Sequence, residues 1–150
     1  SNEVTTIVDY AHTPDSLRNA LETLKCHFKG EIWCVFGCGG NRDEGKRPIM
    51  GEIAESFADH IIITDDNPRN EPGDRIVSQI LSGIQKHQNV SIIRNRAKAI
   101  SHAITNASPA DLILIAGKGH ETYQEISGRR VIFSDKAHAK SALRARGGVA

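Results

Sequence analysis

Three short stretches, residues 32–36, 61–63 and 111–116, are apolar at almost every position, without the alternation of a strand that keeps one face in water. Strands of that kind are buried on both faces, which happens in parallel sheets covered by helices above and below. Residues 4–8 and 90–93 read as two further strands. Between the strands the apolar period changes to that of a helix. Leu17, Leu21 and Leu24 recur at helical spacing, as do Ile49, Ile53, Ala54 and Phe57, and then Ile76, Ile80, Leu81 and Ile84. Helices are therefore expected to begin after Thr13, which caps Pro14 at the first helical position, and to cover about 48–58, 73–86 and 96–106. A last helix is capped by Ser134 and runs to about Arg146, with the Gly147-Gly148 tail expected to fray.

Strand and helix alternate five times with short connections, which predicts an α/β, Rossmann-like three-layer domain. Its sheet should be mainly parallel, with about six strands and helices on both faces. Residues 123–126 and 130–133, joined through Ser127-Gly128, read as a small C-terminal hairpin. The 150 residues suit one domain, 1–150. Because residue 4 is already strand-like, the chain opens almost inside an element, as expected of a domain excised from a longer protein.

Hydrophobic content of 39% and charged content of 25% are ordinary for a soluble globular chain. A net charge of +1 with 5% aromatic residues supplies neither the field nor the stacking platforms of a nucleic-acid binder. No apolar run approaches membrane-spanning length, so a cytoplasmic domain is expected, with no membrane partner. Cys26, Cys34 and Cys38 suggest neither a disulfide framework nor metal spacing, and Cys34 reads as strand core.

If the sheet is parallel, the unusual loops after strands one, two, three and five all fall on its carboxyl edge, where open α/β sheets bind ligands. The third strand ends in Asp65-Asp66-Asn67-Pro68-Arg69. Pro68 fixes its own φ and pushes Asn67 out of helical geometry, so the turn is stiff and holds the Arg69 guanidinium for a carboxylate or phosphate. After the fifth strand comes Gly117-Lys118-Gly119-His120-Glu121, with glycines that permit close backbone approach and a carboxylate able to hold an ammonium group. An arginine and a glutamate facing one another across a pocket are complementary to a zwitterion, of which an amino acid is the simplest.

The second strand leads into Gly40-Asn41-Arg42-Asp43-Glu44-Gly45-Lys46, which fits the GxxxxGK frame of a phosphate loop. Arg47 follows where that motif needs a serine or threonine hydroxyl, and three charged residues make a poor cradle. The segment reads instead as a glycine-rich bend that lets Arg42 project at the edge, where it either clamps an anion or is merely solvated. Asp9 and His12, beyond the first strand, could face a nucleotide or could be turn residues. No HExxH or GxSxG motif and no cluster of metal ligands supports hydrolase or resident-metal chemistry.

Four motifs in order, Asp9-Tyr-Ala-His-Thr-Pro14, Gly37-Cys-Gly-Gly40 with Arg42, Thr64-Asp-Asp-Asn-Pro-Arg69 and Gly117-Lys-Gly-His-Glu121, resemble the C-terminal domain of the Mur ligases over essentially the whole chain. The likeness is to the branch that adds meso-diaminopimelate to UDP-N-acetylmuramoyl-L-alanyl-D-glutamate in peptidoglycan synthesis. It implies that Arg69 pairs with the far carboxylate of diaminopimelate, with Asp66 and Asn67 shaping the pocket. Gly117 and Glu121 would hold the distal end, and Arg42 would contact the amino acid near the reacting centre. Asp9 and His12 would lie near ATP. ATP and Mg2+ would be held mainly by a central domain, and the UDP-sugar by an N-terminal one, both outside this chain. The implied reaction is attack of the diaminopimelate amine on an acyl phosphate, for which this domain alone would be inactive, monomeric and without a tightly bound cofactor. Two other readings are a related amide ligase of the folylpolyglutamate or cyanophycin synthetase kind, against which Arg69 speaks, and a stand-alone nucleotide- or phosphate-binding module.

Overall fold

The computed structural model describes residues 4–147; Gly148, part of the tail expected to fray, lies outside them. The strands are β1 (Thr5–Asp9), β2 (Ile32–Phe36), β3 (His60–Ile63), β4 (Val90–Ile92) and β5 (Leu112–Ala116), followed by the hairpin strands β6 (Tyr123–Ile126) and β7 (Arg129–Ile132). The helices are α1 (Pro14–His27), α2 (Lys46–Phe57), α3 (Gly73–Leu81), α4 (Arg96–Asn106) and α5 (Asp135–Arg146). β1 to β5 form an all-parallel sheet in the order β1-β5-β2-β3-β4. The sheet has five strands rather than about six, because β6 and β7 pair antiparallel with one another in a sheet of their own.

Side chains of the central strands divide by parity, as the period of two requires. Ile32, Cys34, Phe36, Ile61, Ile63, Leu112 and Leu114 face a core made with Leu17 and Leu21 of α1, Met50 and Ile53 of α2, and Ile76 and Ile80 of α3. Trp33, Val35, Ile62, Ile113 and Ile115 face the opposite core, made with Ala99, Ile100, Ala103 and Ile104 of α4 and Ala139 and Ala142 of α5. Double-sided burial is the reason these strands are apolar at every position but His60, the half-buried first residue of β3, and Cys34 lies fully buried among them.

Local signals set most of the boundaries. The Thr13 hydroxyl accepts the Ser16 N–H while the Ser16 hydroxyl accepts the Thr13 N–H, a reciprocal cap ahead of Pro14. Asn95 and Ser134 cap α4 and α5 more simply, each through one side-chain oxygen that accepts a backbone N–H. α3 stops at Leu81 instead of continuing to residue 86. Gly83 turns the chain against α2 so closely that a Cβ there would lie 1.8 Å from the Pro48 carbonyl oxygen. None of the helices among the described residues is long and apolar enough to cross a membrane.

Candidate functional site

The carboxyl edge of the sheet carries a cavity of about 410 Å³ between the loops that follow β1, β2, β3 and β5. Arg42, Asp66, Asn67, Arg69, Gly117 and Glu121 all line it, and His12 stands at the β1 side. Arg69 and Glu121, 52 positions apart, thus share one hollow. Three basic side chains, Arg42, Lys46 and Arg69, and three acidic ones, Asp43, Asp66 and Glu121, line this wall. That balance suits a ligand carrying both signs better than a polyanion.

Backbone geometry explains the glycines. Gly117 has φ +118°, which side-chain-bearing residues avoid, and a Cβ there would lie 2.7 Å from Asp66 Oδ2. At Gly40 a Cβ would sit 1.8 Å from the Pro68 carbonyl oxygen. The glycine-rich bend after β2 can therefore press directly onto the proline turn after β3, and the Gly40 N–H donates to the Asn67 carbonyl at 2.8 Å.

Arg69 is held from behind. It takes the left-handed conformation, φ 55°, and its N–H donates to the Glu125 carbonyl at 2.8 Å while its own carbonyl accepts the Ser127 N–H at 2.7 Å. The turn is thereby bridged to the hairpin. Arg69 Nε donates to Glu125 Oε2 at 2.7 Å, and Nη1 donates to the Gly40 and Asn67 carbonyls at 3.1 and 3.4 Å. The Gln124 side-chain amide donates to the Asp66 carbonyl at 2.8 Å. The hairpin therefore serves as the rear wall of the arginine turn, a role its sequence did not suggest.

In the loop after β5, Lys118 is fully buried. Its ammonium donates to Asn67 Oδ1 at 2.8 Å and to Glu121 Oε1 at 2.9 Å, and lies 3.5 Å from Asp66 Oδ1. Glu121 is thus already paired within the protein, although its side chain remains 24% exposed at the cavity. One cation against two carboxylates leaves a net negative charge at this end. Nothing local marks Lys118; a lysine between two glycines in a loop reads as solvent-facing until the strand order closes over it.

The loop from Gly37 to Lys46 does not form a phosphate cradle. Three of its amides are engaged within the protein: Asn41 N–H to Glu71 Oε1 at 3.0 Å, Gly45 N–H to Asp43 Oδ1 at 2.9 Å, Gly40 as above. Lys46 Nζ donates to the His12 carbonyl at 2.8 Å. Arg47 is fully buried and donates to both oxygens of Glu71, to Gln79 and to the Gly39 carbonyl. Paired with Arg47, the Glu71 carboxyl is pulled down to about 2. Arg42 donates to the neighbouring Asn41 carbonyl at 3.0 Å and is exposed at the cavity rim.

Asp9 and His12 part company. Asp9, the last residue of β1, does not line this cavity, and its carboxylate accepts the Ala11 N–H at 2.9 Å as a turn residue would. His12 lines it, with Nδ1 2.9 Å from the Tyr10 carbonyl and its ring tilted against Tyr10. Cys38 also lies on the wall, next to the Met50 sulfur, and burial pushes its thiol up to about 12. Among the described residues no three His, Cys, Asp or Glu side chains are grouped to hold a metal ion.

Residues 1–119 match the family model described as Mur ligase, glutamate ligase domain. A UDP-N-acetylmuramoyl-L-alanyl-D-glutamate–2,6-diaminopimelate ligase from Acidovorax sp. (strain JS42) is 56% identical over 146 residues, covering 95% of this chain and 29% of that protein. The ligase of the same name from Haemophilus influenzae (strain PittGG) is 54% identical over 143 residues, with 95% and 29% covered. A solved structure of such a ligase superimposes with a TM-score of 0.93 at 44% identity, covering 98% of this chain and 30% of the other. The chain spans under a third of the length of these relatives. With the family model matched over most of its length, the chain belongs to the Mur ligases and carries their glutamate ligase domain.

Proposed function

We propose that this chain is the amino-acid-binding C-terminal domain of an ATP-dependent ligase that adds meso-diaminopimelate to UDP-N-acetylmuramoyl-L-alanyl-D-glutamate. The whole enzyme would act in the cytoplasm, in peptidoglycan synthesis. The observation that carries this reading is the shared cavity, lined by both Arg69 and the Lys118-backed Glu121 carboxylate. Diaminopimelate bears two ammonium and two carboxylate groups. Its far carboxylate would meet Arg69, with Asn67 beside it, and its distal ammonium would meet Glu121 and Asp66. Arg42, exposed on the rim, would reach the end nearer the reacting amine.

ATP and Mg2+ would be held by the rest of the longer protein. The residues here fit them poorly as a primary site, since the Gly40, Asn41 and Gly45 amides of the loop are occupied and no carboxylate cluster is grouped for a metal among the described residues. His12, on the β1 side of the cavity, would face the nucleotide when the domains close; Asp9 would act there only by holding the turn. When bound, ATP would supply the phosphoryl group that activates the D-glutamyl carboxylate of the UDP-linked substrate. The work of this domain is to hold an amine in line with that carboxylate and to exclude its competitors. The fragment itself would be monomeric and inactive.

The test uses the full-length enzyme. Arg69→Ala should raise the KM for diaminopimelate by the equivalent of about 2–5 kcal/mol, the cost of truncating one partner of a desolvated charge pair, while the KM for ATP stays within a few-fold. An unaltered diaminopimelate KM in that variant would remove the assignment.

A further inference from the structure

The amide of Asn67 is committed to one orientation, and the residue that commits it is Lys118. Asn67 Oδ1 accepts from the Lys118 ammonium at 2.8 Å and from the Glu125 N–H at 3.0 Å, which occupies both of its lone pairs. The opposite rotamer would set the Asn67 NH2 against two donors, one of them charged. Nδ2 is therefore the atom turned toward the cavity side, where it lies 3.4 Å from Glu121 Oε1. The same ammonium holds that Glu121 oxygen at 2.9 Å. Lys118 is itself fully buried and stands 5.7 Å from the Tyr123 ring centroid, so water does not substitute for its partners.

We infer that Lys118 is a positioning residue that sets the polarity of the pocket: it presents Asn67 as a donor and Glu121 as an acceptor, and so selects an amino acid whose side chain ends in both a carboxylate and an ammonium group. This rests on the proposed reading of the cavity. Outer partners that orient ligand-holding groups commonly matter nearly as much as the groups themselves.

The experiment compares two amino acids in the full-length enzyme, meso-diaminopimelate and 2-aminopimelate, which keeps the far carboxylate and lacks the distal amine. In wild type, diaminopimelate is the preferred substrate. Lys118→Met should lower kcat/KM for diaminopimelate roughly 10–100-fold and lower that for 2-aminopimelate much less, so the ratio between them collapses. A merely structural lysine would depress both equally, and an unchanged ratio overturns the inference. Should Lys118→Met fail to fold, Asn67→Asp carries the test. That variant keeps an acceptor for Lys118 but replaces the donor with a charged oxygen facing Glu121, and its diaminopimelate KM should rise at least 10-fold with melting temperature maintained. Asn67→Asp binding diaminopimelate as wild type does would also overturn the inference. If neither amino acid is a substrate of the wild-type enzyme, the functional reading itself falls.

Discussion

Arg47 stands where a phosphate loop needs a hydroxyl, and its guanidinium turns inward to pair with Glu71, a residue 24 positions away. The pair fixes the loop that carries Arg42, since Glu71 also accepts the Asn41 N–H and Arg47 holds the Gly39 carbonyl. Its pH signature follows from linkage. The hydrogen bond from Arg47 first, and that from the Asn41 amide among the lesser causes, hold the Glu71 carboxyl at about 2, against 4.5 without them. Glu71 thus contributes stability that is complete above the unfolded value and lost as pH falls through the folded one. Glu71→Gln should lower the melting temperature at pH 7 and flatten its decline between about pH 4.5 and pH 2, as read by circular dichroism. An acid limb as steep as that of wild type would show that other carboxylates govern it. At the site, Arg69, Asn67, Glu121 and Arg42 were readable from their motifs. Lys118 and Glu125, which hold three of them, were not, because each sits on a segment that looks solvent-exposed until its neighbour in space is known.

Helix and strand ends meet through another buried ion pair. Arg96, at the start of α4, donates from Nε and Nη2 to both oxygens of Asp135, at the start of α5, at 2.7 and 2.8 Å. Nη1 and Nη2 also donate to the carbonyls of Asp65, two residues beyond β3, and Ala116, the last residue of β5. Both side chains are completely buried. The pair therefore ties two helices to the ends of two strands whose loops line the cavity. Removing one partner leaves the other charged and unsolvated, so Asp135→Ala should lower unfolding stability by about 3–5 kcal/mol in urea denaturation. A loss below about 1 kcal/mol would mean that water reaches the orphaned guanidinium. Caps, helical spacings and the doubly buried strands announced these elements individually. The parting of α4 and α5 from α1 to α3 onto opposite faces follows from the crossovers, and the docking of the hairpin on the arginine turn has no local cause at all.

Taken whole, the molecule is a scaffold that brings four loops to one edge and leaves the phosphate-like loop closed upon itself. The isolated chain should accordingly bind ATP no more tightly than about 1 mM by calorimetry, with or without Mg2+, because donors already satisfied within the protein must be broken to receive phosphate. Micromolar ATP binding would instead support a self-sufficient nucleotide module. The sequence by itself determined the layered α/β fold, the carboxyl edge as the place of the candidate site and the charged residues that line it, since periodicity and turn chemistry are properties of neighbouring residues. Only tertiary structure decided which charges stay available. Lys118 and Glu125 are brought against Asn67 and Arg69 by strand order and by the hairpin, and hydrogen-bond directions between segments more than 50 residues apart are set by packing.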